Sequence, residues 1–257
     1  MSKNVIFSIL ALIFVSTGCA KMPIYNSEWN GKQNQPDQVK VGQYDREARL
    51  GYNVLNDHKR LYISLETADP LTQAKILRHG VKIFVNTSGK KDKTTFLLFP
   101  DSQTHVASMF RHNQSNNFKN HEKRLKQTIS RIYKEGQWHN NSETTVVTPS
   151  KGTNGFKLIL NADSVGYLNY KVGIPLSDIK TSGNEDSSNI TIGIHIDGFK
   201  KSKSKKSHQN SEQGEYGGEA GEGAEGGEGS FGSESNGPMT QLSAPINIWF
   251  QTKLASK

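Results

Sequence analysis

Cysteine, histidine and carboxylate side chains are the groups in this 257-residue sequence whose spacing could do chemistry. Cys19 is the only thiol, and a disulfide needs two. Four of the eight histidines, His105, His112, His121 and His139, fall in one polar stretch. No pair of them has the i,i+4 or His-x-His spacing beside a carboxylate that a metal site asks for. His195 alternates with Ile194 and Ile196, which puts it on the polar face of a strand. No Gly-x-Ser-x-Gly elbow, P-loop or His-Glu-x-x-His run occurs. Asp57 and Asp69 stand in turns, where local hydrogen bonding accounts for them. The sequence therefore offers no catalytic residue and no metal ligand, and the chain is expected to be non-enzymatic and to carry no cofactor.

The surroundings of Cys19 are more specific. Lys3 precedes the apolar run Val5 to Val15, which is too short for a transmembrane helix of ~20 residues but fits the h-region of a secretory signal. Ser16-Thr17-Gly18-Cys19-Ala20 follows and resembles the lipobox of bacterial lipoproteins, with Ser16 where a leucine is usual. That resemblance implies removal of residues 1–18, acylation of the Cys19 thiol and amine, and a lipid-anchored tether over 19–40. More than one acyl chain is what makes such an anchor stable, at ~0.8 kcal/mol per buried CH₂. The bacterial membrane is then the first expected partner. Ala20, in place of an aspartate, points by the same analogy to the outer membrane of the cell envelope.

Composition bounds the rest. The apolar fraction is 33%, against ~45–50% in an average globular chain when glycine is included. One segment explains part of the deficit. Lys200, Lys201, Lys203, Lys205 and Lys206 form a basic run, and residues 207–237 then hold seven glutamates and ten glycines without a lysine or arginine. Such a stretch buries too little area to offset its chain entropy, so 200–240 is expected to be a disordered insertion. The formal charge of +8 comes from scattered Lys and Arg. With an export signal, it favours anionic lipid or glycan over nucleic acid, which is not an expected partner.

The remaining elements alternate with a period of two. Strands are expected at Leu50–Leu55, Leu61–Thr67, Val81–Asn86, Thr94–Phe99, 143–148, Gly155–Leu160, Tyr167–Leu176, Ile190–Asp197 and Ile246–Leu254. Asp69-Pro70 starts a short helix that Gly80 ends. Phe118 to Tyr133 reads as a surface helix, with Leu125, Ile129 and Ile132 at spacings of four and three. The pattern predicts an all-β chain, an antiparallel β-sandwich over 41–257 with one or two short peripheral helices, interrupted by the insertion.

The hairpin Tyr52-Asn53-Val54-Leu55-Asn56-Asp57-His58-Lys59-Arg60-Leu61-Tyr62-Ile63, with its acidic exit at Glu66 and Asp69, resembles the front hairpin of family 9 carbohydrate-binding modules and related DOMON-like sandwiches. Val81 to Asn86 and the glycine-rich insertion before a last strand extend the likeness to uncharacterised exported proteins of Bacteroidota. The resemblance implies a glycan ligand held by stacking on aromatic side chains, with Trp29, Trp138 and Trp249 as the candidate binding residues. Trp249 lies on the polar face of its strand, as a stacking platform or as packing beneath the 118–133 helix. Trp138 stands in a polar loop context, Gly136-Gln137-Trp138-His139-Asn140, as an exposed platform or a loop anchor. Trp29 is expected to dock the N-terminal segment. Some DOMON-like sandwiches hold haem, but Met109 and His112 make no convincing axial pair. Two other readings stay open: an envelope structural or assembly protein whose charged insertion contacts a protein partner, and an envelope hydrolase with two close carboxylates in a cleft.

Overall fold

The computed structural model describes residues 21–30, 42–101, 118–149, 155–180, 189–200 and 238–256. The leader, Cys19, residues 201–237 of the insertion, His105, Met109 and His112 lie outside them.

Among the described residues, thirteen strands form two sheets, numbered here in chain order. Three short strands come first, β1 (Ile24–Asn26), β2 (Glu28–Trp29) and β3 (Gln43–Asp45). The hairpin β4 (Leu50–Asn56) and β5 (Arg60–Thr67) leads into α1 (Pro70–His79). A second meander is β6 (Val81–Asn86), β7 (Thr95–Phe99), α2 (Phe118–Ile132), β8 (Gly136–Asn140) and β9 (Glu143–Val147). The chain closes with β10 (Lys157–Ala162), β11 (Leu168–Pro175), α3 (Leu176–Lys180), β12 (Asn189–Ile196), α4 (Pro238–Ser243) and β13 (Ile246–Lys253). The seven-stranded sheet runs β1-β13-β12-β6-β7-β8-β9, and the six-stranded sheet runs β10-β11-β5-β4-β2 with β3 also on β4.

Period-two alternation explains the layering. Ile190, Ile192, Ile194 and Ile196 of β12 are all buried, as are Leu61, Ile63 and Leu65 of β5. These inward rows meet in one core shared by both sheets. Tyr52 of β4 stacks on Phe250 of β13 with centroids 5.3 Å apart, and Phe99 of β7 meets Tyr170 of β11 at 5.7 Å. The architecture is thus the predicted two-layer β structure.

The helices follow their sequence signals. Asp69 caps α1 by accepting from the Thr72 amide, and Pro70 occupies the first turn. Gly80 ends it at φ 70°, a conformation that favours glycine. A Cβ there would lie 2.3 Å from the Pro100 carbonyl oxygen, so no larger residue fits. Buried Leu125, Ile129 and Ile132 hold α2 on the core, and the Tyr133 hydroxyl donates to the Leu158 carbonyl at 2.6 Å. With α3 and α4, the described residues carry four helices rather than one or two.

Two expectations need correction. The segment 19–40 is not a free tether throughout, because β1 pairs in parallel with β13 and β2 pairs in parallel with β4. The sheets are therefore mixed at these places and antiparallel in their other pairings. Gly136–Asn140, expected as loop, is strand β8 between β7 and β9. It escapes pattern reading because Trp138 is its only large apolar residue.

Candidate functional site

The seven-stranded sheet turns one face to the core and the other away from it, and the outward face is unusually aromatic. Register builds the feature. Trp249 of β13 stands opposite Gly193 of β12, and Gly193 opposite Phe84 of β6. Phe84 stands opposite Phe96 of β7, and Phe96 opposite His139 of β8. One cross-strand row therefore holds four rings and a glycine over five strands. At 4.7–4.9 Å per strand, the row is about 19 Å long.

Gly193 is what lets the row close. The far edge of the Trp249 six-membered ring lies within 2.8 Å of where a Cβ on residue 193 would stand. The indole leans across β12 and lies parallel to the Phe84 ring, at 5.6 Å and 10°. Phe84 meets Phe96 edge-on at 5.3 Å, and Phe96 stacks on the His139 imidazole at 4.3 Å and 15°. Such pairs add ~0.5–1.5 kcal/mol beyond area burial. Phe84, at the centre, is only 5% exposed, whereas Trp249, Phe96 and His139 are half-buried.

A polar row runs beside the rings. Asn247, His195, Lys82, Leu98 and Gln137 occupy successive strands in register. His195 Nδ1 lies 2.6 Å from Asn247 Oδ1, and its Nε2 lies 3.0 Å from Asp197 Oδ1. Lys82 Nζ reaches the other Asp197 oxygen at 3.1 Å. Burial pushes the Asp197 carboxyl up, but the hydrogen bonds and charges of His195 and Lys82 outweigh it and hold the group below its usual range. At the far end, Gln137 donates to Asp101 Oδ2, and its Oε1 lies 3.0 Å from His139 Nε2. Burial lowers the His139 pKa, with Asp101 and Lys82 acting in opposite directions. On the other flank Gln251, Thr191 and Asn86 lie in register.

Of the three tryptophans expected to bind ligand, one is in this row. Trp249 takes its place there, while α2 packs along β10 and not beneath it. Trp138 is a correction: alternation on β8 turns it inward, it is 5% exposed, and its ring contacts Phe156 at 5.2 Å. It is a core residue and cannot serve as an exposed platform. Trp29 sits on the six-stranded sheet, edge-on to His58 at 4.6 Å, where it docks the N-terminal strand. The three do not share a groove. Phe84, Phe96 and His139 were missed because a cross-strand row depends on register between distant segments. A large apolar residue on each face of one strand, as in Ile83-Phe84 and Phe96-Leu97, is the signal the sequence offers. Among the described residues, no three His, Cys, Asp or Glu side chains come together as a metal site, and no helix is long and apolar enough to cross a membrane.

Comparison with protein-family models, with curated proteins and with solved structures finds no match to this chain.

Proposed function

We propose that the protein is a lipid-anchored, non-catalytic component of the bacterial envelope that binds a glycan across the outward face of its seven-stranded sheet. The observation that carries the reading is the in-register row Trp249–Gly193–Phe84–Phe96–His139 with its parallel polar row. A saccharide has apolar C–H faces and a rim of hydroxyls. Aromatic rings suit the former, and the amides, carboxylates, imidazoles and ammonium groups of Asn247, His195, Asp197, Lys82 and Gln137 suit the latter. The length of the row favours several consecutive sugar units running across the strands. The Cys19 motif supports the anchoring, and with it an envelope location for the binding face.

Affinity electrophoresis and a glycan array test the reading. Retention on at least one polysaccharide is expected, together with its loss in Trp249→Ala and in Phe96→Ala while the fold persists by circular dichroism. Absence of retention on every polysaccharide, or retention that survives both substitutions, overturns it.

A further inference from the structure

The opposite layer carries a second, chemically different feature. We propose that the cleft on the outward side of the six-stranded sheet, between Tyr44 and Tyr167, binds a small organic ammonium ion at the Glu66 carboxylate.

The cleft has a volume of about 540 Å³, within the range of small-molecule sites. Register again sets its floor. Tyr44 of β3 stands opposite Gly51 of β4, and Gly51 opposite Glu66 of β5. Glycine leaves the middle of the floor without a side chain. Tyr44 is 59% exposed on one side of the cleft, and Tyr167, 37% exposed, lines it where β11 begins.

The charges select the sign of the ligand. Asp69 Oδ1 accepts from Arg49 Nη1 at 2.9 Å, and its other oxygen caps α1 through the Thr72 amide at 2.9 Å. That pair is internally neutral, and the Asp69 carboxylate is fully engaged. The Glu66 carboxylate makes no hydrogen bond or ion pair among the described residues. Burial, and then the charge of Asp163, hold its carboxyl above the usual range. A cation entering the cleft would supply the missing partner and relieve both effects. Tyr44 and Tyr167 both line the cleft, and aromatic rings attract ammonium groups, favouring those with an apolar skirt. A chain of net charge +8 would otherwise repel such a ligand, so an acidic cleft between two tyrosines is a local exception with a specific use.

The test is calorimetry on the full chain carrying Cys19→Ser, titrated with choline and with its neutral isostere 3,3-dimethyl-1-butanol. Choline is expected to bind at one site, at least tenfold more tightly than the isostere. Glu66→Gln is expected to weaken choline at least tenfold, and Tyr44→Ala several-fold, with unchanged melting curves. Affinity is also expected to fall as pH drops from 7 to 4 and Glu66 takes up its proton. Equal binding of the isostere, absence of choline binding, or an unaffected Glu66→Gln protein overturns the proposal. Co-sedimentation with phosphatidylcholine vesicles, competed by free choline, would identify a lipid headgroup as the source. Choline binding without co-sedimentation would identify a free solute.

Discussion

Gly193 and His79 show how much a single position can decide in this protein. The indole of Trp249 occupies the space above Gly193, so Gly193→Val must push it aside. The ring lies on the outward face and can rotate toward solvent, so the expected result is a red shift in tryptophan emission with little loss of stability. Glycan retention is expected to fall with it. His79, at the end of α1, lies edge-on to Phe199 at 5.1 Å. Burial lowers its pKa, with Asp197 opposing and Arg78, Lys82 and Lys200 adding to the effect. The unfolded chain then binds the proton more readily than the native one. Stability is greatest above the ordinary imidazole value of about 6.5 and is lost as pH falls from there through the folded value. Thermal melts between pH 7.5 and 5 should show this decline, and His79→Phe, which keeps the ring contact, should flatten it.

Among the elements, β8 and the paired N-terminal strands divide what the sequence reveals from what it does not. Trp138→Ala removes a large core side chain next to Phe156 and should cost about 3–5 kcal/mol in urea unfolding. The N-terminal strands depend on Ser27, whose hydroxyl donates to the Asn56 side chain and accepts from the Ala255 amide at 2.9 Å. Ser27→Ala leaves these partners short and should cost about 1–3 kcal/mol by the same measurement. The long strands were legible because Ile190 to Ile196 and Leu61 to Leu65 alternate with polar residues, and one face had to be buried. The start of α1 was legible from Asp69-Pro70, and its end from Gly80. Strands β1 to β3 were not, since two or three residues cannot establish a period. On the aromatic face, Trp249 could be assigned to the polar side of its strand from Ile248 and Phe250 alone. Its neighbours Phe84, Phe96 and His139 come from segments 110 to 165 residues away, and only sheet register brings them into line.

At the scale of the whole molecule, two sheets with a common core turn two chemically distinct faces outward, one aromatic with a polar border and one with a Glu66 cleft at one end and the Lys157 and Lys171 ammonium groups over Tyr62. In the proposed reading, attachment of this body to a membrane rests on a single residue, Cys19. Cys19→Ser is expected to abolish acylation and move the protein into the soluble fraction, read by fractionation and intact mass. The parallel pairing of Ile24–Asn26 with Gln251–Lys253 has a geometric consequence for that attachment. From Cys19 to Ile24 the chain has five residue steps, and an extended chain spans at most about 3.6 Å per step. An acylated cysteine would thus hold the paired strands β1 and β13 within about 18 Å of the headgroups. The body would ride low on the bilayer like a moored float, with little freedom to tumble. Ligands would have to reach its flanks from the side, along the plane of the membrane.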